Sequence, residues 1–457
     1  MKKLICILFF FLPIALSAQQ SWFKSSALDS LWKNVGNVGF SAADANFTSL
    51  AFSPSNDQPY VAYMDAMVSN KATVMKFDGT TWSNVGTEGF STGAAWYPSL
   101  VFNSSGESYL AFSDDGNSDK STVMKFNGTA WVYVGTAGFS SGKAYYTSLA
   151  FSPSGEPYVA FMDESNSFKA TVMKFDGTSW IVIGTAGFSA DQAWYISLAF
   201  SLSGEPYVAF GNVEKATVMK FDGTTWVNVG TAGFSSDSAP FISLAFSPTG
   251  QLYVAYKDFG NFRKATVMKF DGNNWVNVGN AGFSAGTASF ESLRFSPSGE
   301  PFVAYMDSIN SNKATVMRFN GTNWVNVGNA GFSAGEADFT SLAFSPSGQP
   351  FVVYMDWANS LKATVMKFDS VFTGISKLQH SQTSIYPNPA TNKITIEVSV
   401  ATKESNLSIM NIEGQQLITR QITEPKAQLD ISNLPSGVYF VRLTDDKTVE
   451  VRKIVKQ

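Results

Sequence analysis

Residues 147–184 read TSLAFSPSGEPYVAFMDESNSFKATVMKFDGTSWIVIG, and variants of that stretch recur seven times between Trp32 and Asp369. The tryptophan opening its last run marks the period: Trp32, Trp82, Trp131, Trp180, Trp226, Trp275 and Trp324 lie mostly 49 residues apart. Four extended runs fit in each copy, here SLAFS (148–152), PYVAFMD (157–163), KATVMKF (169–175) and WIVIG (180–184). The middle two are apolar on both alternations, which suits a sheet covered on both faces. Several short strands in a period of 40–50 residues predict a β-propeller blade rather than a turn of a helical solenoid.

Turn chemistry supports the division. The first turn is SPSG, with Pro153 and Gly155 in favourable positions. The third is Asp-Gly or Asn-Gly, as at Asp176-Gly177, a strong hairpin signal between extended runs. The seventh copy stops at Asp369 without a fourth run, whereas the chain begins with an orphan fourth run, Trp32 to Gly36. A seven-bladed β-propeller closed by that N-terminal strand uses every run and leaves no open edge. The predicted class is all-β, a propeller followed by a small Ig-like β-sandwich.

Composition narrows the chemistry. The first eighteen residues, MKKLICILFFFLPIALSA, have the basic start, apolar run and small residues of a secretory signal peptide. The expected layout is signal peptide 1–18, lead-in 19–31, propeller 32–369, linker 370–384 and C-terminal domain 385–457. The one cysteine, Cys6, lies in the signal, and the one histidine, His380, lies in the linker. Cys–His, Ser–His–Asp and His–zinc chemistry are therefore closed to the repeats. With 32 Lys and Arg against 36 Asp and Glu, no basic field attracts nucleic acid. Neither cofactor nor metal is expected.

Strand parity locates a working surface. The SPSG and Asp-Gly turns share one face of the disc and repeat closely; the loops on the other face vary. The variable face is expected to carry function. There three adjacent copies present aromatic pairs, Trp96-Tyr97, Tyr145-Tyr146 and Trp194-Tyr195, read as a stacking platform for a glycan or a protein ligand. The repeated tryptophans are read as structural. So are the acids closing the second strand (Asp65, Asp114, Asp163, Asp258, Asp307 and Asp356), each expected to pair with the Lys that opens the third. Seven equal copies do not make the unlike environments that catalysis needs. The expectation is a non-enzymatic binding propeller; the alternative is a carboxylate-dependent glycan hydrolase or lyase in the channel.

The last 73 residues follow a different pattern, with short alternating runs at 393–400, 406–412, 415–422, 438–444 and 448–456. Here the chain closely resembles the C-terminal sorting domain of the bacterial type IX secretion system. The resemblance rests on Tyr386-Pro387-Asn388-Pro389-Ala390 followed by KITIEV, on NIEGQQL, on LDISNLPSGVYFVRL and on the ending Val451-Arg452-Lys453-Ile454-Val455-Lys456. It implies passage through the periplasm and across the outer membrane, then release or display at the cell surface. It also implies three partners: the translocon, a sorting protease that cuts in the linker, and surface lipopolysaccharide as an anchor. Pro435, Gly437 and Lys453 belong on this analogy to the recognition signal.

Overall fold

The computed structural model describes residues 31–369 apart from 55 and 212–214, together with 383–398, 405–411, 415–422, 424, 426–444 and 449–457. The signal peptide with Cys6, the lead-in before Leu31, Asn212 and the linker up to residue 382 with His380 lie outside the described residues. The described chain forms two compact units, one ending at Asp369 and one beyond it.

Among the described residues the first unit contains seven four-stranded antiparallel sheets. In the third copy the strands are Ala144–Phe151, Pro157–Asp163, Lys169–Phe175 and Trp180–Val182, termed a to d from the inside outwards. The orphan N-terminal strand, Leu31–Asn34, pairs antiparallel with Lys362–Asp369, setting Trp32 opposite Phe368. It is the fourth strand of the last sheet, and its pairing leaves that outer edge covered.

Strand b is buried along its whole length in this copy, as two-sided apolarity requires. The repeated serine of strand a joins sheet to sheet: its hydroxyl accepts the N–H of a leucine in the next sheet at 3.0–3.2 Å, from Ser49–Leu100 round to Ser341–Leu50. Those seven bonds form a closed circle. Each tryptophan adds a second staple. Its indole Nε1–H donates to a backbone carbonyl of the preceding sheet at 2.6–2.9 Å, as Trp180 does to Val134. Its ring stacks on a phenylalanine with centroids 3.9–4.5 Å apart. The tryptophans are structural.

Three details differ from the sequence reading. The Asp-Gly hairpin is a four-residue loop, because the Asp176 carboxylate accepts the N–H groups of Thr178 and Ser179 at 2.8 Å and holds the chain open past Gly177. The aromatic pairs are not in loops. Strand a begins earlier than the SLAFS run, since its ladder continues across a bulge to pair Ala144 with Asp163. And among the described residues no ion pair joins the acids of strand b to the lysines of strand c, although Asp163 and Lys169 face each other in register.

The second unit is a small sandwich. Thr383–Tyr386, Lys393–Val398 and Lys426–Asp430 form one sheet; Gln416–Ile422, Ser405–Met410, Gly437–Thr444 and Val449–Lys456 form the other. Ile394, Ile396, Leu407, Ile409, Val441 and Ile454 are fully buried between them. Asn388 ties the opening motif to the last strand, donating to Lys453 O and accepting from Val455 N, both at 2.9 Å.

Candidate binding face

The variable face is built from the b–c turns and the start of strand a. Six b–c turns are single 3₁₀ turns that follow the acid closing strand b. Asp163 is 2% exposed; it accepts from Ser165 N and Oγ, from Asn166 Nδ2 and from Thr171 Oγ1. Asp258, Asp307 and Asp356 repeat the Asn and Thr contacts. A buried carboxylate with three or four donors is fully engaged in fixing its turn. These acids are scaffold, held by Thr and Asn rather than by Lys.

The exposed side chains of these turns include polar ones such as Ser118, Ser165 and Ser311, and large apolar ones on four of the six. Met67, Phe262, Ile309 and Trp357 stand exposed on them, Phe262 at 86%. The predicted Trp96, Tyr145 and Trp194 lie on the same face, and among the described residues their rings meet other aromatics and not one another. Trp96 is 36% exposed and meets Phe47 edge-on, Tyr145 leans on Phe168, and Trp194 leans on Tyr146. The sequence reading did not single out the rim made by Phe262, Ile309 and Trp357. Their variability within b–c loops of similar length was the available signal.

The inner members of the pairs do converge. Phe47, Tyr97, Tyr146, Tyr195, Phe241, Phe290 and Phe339 form an unbroken ring in which neighbouring centroids lie 4.6–5.0 Å apart. Each has a positive φ, from 52° to 60°; six sit at the bulge of their strand a, and Phe241 lies just ahead of its strand. Bulky residues seldom adopt that region, which costs about 1–3 kcal/mol each, and such strain clusters where a side chain is aimed at a ligand. The ring and the residue after each aromatic line a cup of about 240 Å³.

The residues after the ring are Thr48, Pro98, Thr147, Ile196, Ile242, Glu291 and Thr340, of which one is charged. Glu291 is 6% exposed and neither carboxyl oxygen has a hydrogen-bond partner. Burial pushes its carboxyl up to about 8, against weaker opposing pulls from its own backbone N–H and then from Lys257. Lys257 stands where the other copies carry Met64, Ser113, Met162, Gly211, Met306 or Met355. Its Nζ donates to Ser289 Oγ at 2.8 Å and lies 5.6 Å from the Phe241 centroid; burial holds its pKa below the usual lysine range. Sequence reasoning passed over both residues, although each is the lone charge in its column of the repeat. Among the described residues no three His, Cys, Asp or Glu side chains gather as metal ligands.

In the second unit, Lys453 and Pro435 are exposed and Gly437 is half-buried. The Pro435 carbonyl accepts the Tyr439 hydroxyl at 2.8 Å, which fixes the turn between them.

The chain is thus a repeat propeller carrying a sandwich at its C-terminus. Residues 384–457 match the Secretion system C-terminal sorting domain, and the chain is exported through the type IX system to the cell surface or the medium. No curated protein matches the sequence. Among solved structures, PorZ, a bacterial surface component of the type IX secretion system of Porphyromonas gingivalis, is similar at 13% identity and a TM-score of 0.51. The match covers 91% of this chain and 60% of PorZ, so the chain spans less than two thirds of that protein's length. A polysaccharide lyase acting on ulvan (12% identity, TM-score 0.48, 74% and 94% covered) and the SapL1 lectin (13%, 0.44, 64% and 98%) are also similar.

Proposed function

We propose that this is a non-enzymatic binding propeller, released or displayed at the cell surface, that engages a glycan or protein ligand through its variable face. The observation that carries the reading is the set of exposed apolar side chains Met67, Phe262, Ile309 and Trp357, standing on turns that buried aspartates hold, with Trp96 exposed at the start of a strand a on the same face. Exposed aromatic and aliphatic side chains on a fixed scaffold are what recognition surfaces are made of, since little entropy is lost when they are covered. A glycan hydrolase in the channel needs two unlike carboxylates a fixed distance apart. The cup lining contains a single carboxylate, and the repeated aspartates are occupied by their own turns.

Delivery belongs to the C-terminal unit. Pro435, Gly437 and Lys453 present the signal that the translocon reads, a sorting protease cuts within 370–384, and lipopolysaccharide is the anchor of any retained form. A glycan array probed with the purified chain and with a Trp96→Ala/Phe262→Ala/Trp357→Ala variant of unchanged circular dichroism tests the binding reading. Binding lost in the triple variant supports it. Cleavage of an arrayed glycan by the native chain, abolished by Glu291→Gln, would overturn it in favour of an enzyme.

A further inference from the structure

We infer that the axial cup is a binding site for an organic ammonium group, caged by the seven rings and countered by Glu291. The inference rests on the variable face being the binding face and names one chemistry it accepts.

Glu291 sits where the repeat otherwise satisfies itself. In three sister sheets the equivalent threonine donates its hydroxyl to the carbonyl of the aromatic in the preceding sheet: Thr48 to Phe339, Thr147 to Tyr97 and Thr340 to Phe290, each at 2.6 Å. Glu291 makes no such bond, and both its oxygens are orphaned in a wall of the cup. A buried carboxyl without a partner destabilises the empty site and is relieved by a donor or a cation supplied from outside.

The geometry selects among such groups. A heptagon of rings with centroids no more than 5.0 Å apart leaves room at its centre for a water or a methylated ammonium, too little for a sugar ring. A metal ion would need several oxygen ligands, and the cup lining supplies one carboxylate. An anion would meet ring π-clouds and Glu291. An alkylated ammonium gains from both, because aromatic faces attract a cation and a desolvated site strengthens that attraction. Lys257 already places an ammonium over the Phe241 ring, and it donates to Ser289 and not to Glu291.

Ionisation gives the site a signature. Lys257, Tyr195 and Tyr305 are the titratable groups that act on the Glu291 charge or feel it. Glu291 is a neutral acid at pH 7, so a bound cation that ionises it releases a proton. Glu291–COOH plus the ammonium becomes the carboxylate–ammonium pair plus a solvated proton, and charge balances.

Titration calorimetry of the full chain with choline, with n-butylammonium as a lysine-like amine, and with the uncharged tert-butyl analogue of choline tests this. Running it at pH 7 in two buffers of different ionisation enthalpy counts the protons. At least one ammonium is expected to bind about tenfold or more tighter than the uncharged analogue, with release of close to one proton. Glu291→Gln is expected to abolish that release and weaken the ammonium about tenfold; Glu291→Thr, which restores the sister-sheet residue, does the same should Gln fail to fold. Equal binding of charged and uncharged probes, or an unchanged affinity in both variants, would overturn the inference. If the array shows a rim-bound glycan while both ammonium probes stay silent, the cage fails and the binding face stands; silence in both assays sinks the cage and the glycan reading together.

Discussion

At the residue scale, Glu291 and Lys257 are each the lone charge at their place in the repeat, whereas the tryptophans obey it. Glu291 is protonated in the folded chain up to about pH 8 but ionises near 4.5 once unfolded. Above pH 4.5 the folded state therefore holds more protons than the unfolded one, and stability falls as pH rises from about 4.5 to 8 before levelling off. Urea unfolding at pH 5 and pH 8 is expected to show that fall in the native chain, and Glu291→Thr is expected to remove most of it. Trp180 illustrates the obedient residues. Trp180→Phe keeps an aromatic ring against Phe139 but strands the Val134 carbonyl, at an expected cost of about 1–3 kcal/mol in the same assay.

At the element scale, the b–c turn and the bulged strand a determine what the face can do. The turn is fixed by its buried aspartate, so Asp163→Ala is expected to cost about 1–3 kcal/mol. Lys169→Ala is expected to stay within about 0.5 kcal/mol. An ion pair between the two would make the costs comparable, and equal midpoints in urea would show it. Facing residues in a repeat invite the ion-pair reading; the structure replaces it because Thr171 and Asn166 reach the carboxylate first. The bulge was equally hidden. Its aromatic follows a variable residue and precedes the SLAFS pattern, so it reads as loop, whereas backbone pairing resumes on its far side. Lys426–Asp430 was missed for a simpler reason: Ala427 and Leu429 alone carry its buried face, too faint an alternation to stand out.

At the scale of the whole molecule, closure converts a repeat into a site. The N-terminal strand is as integral as any other, since Trp32 stacks on Phe332 at 4.2 Å and donates to Val327 as its sisters do in their sheets. Trp32→Ala and Trp180→Ala are accordingly expected to cost alike, roughly 3–5 kcal/mol; a much milder Trp32→Ala in thermal or urea unfolding would show a loosely held strand. For export, Lys453→Ala is expected to leave the sandwich folded, because the side chain is exposed, yet to retain the chain in the periplasm, as fractionation would reveal. The amino-acid sequence by itself determined the four runs of each propeller repeat, their order, the closing role of Trp32 and the sorting domain, because alternation, turn residues and ordered motifs act over a few neighbouring positions. The tertiary structure alone decided that seven aromatics meet at one axis, that Glu291 is buried there without a partner, and that the repeated aspartates belong to their turns. Those outcomes depend on distances between strands up to about 290 residues apart, and a carboxylate's meaning is set by what surrounds it, which a column of repeats does not display.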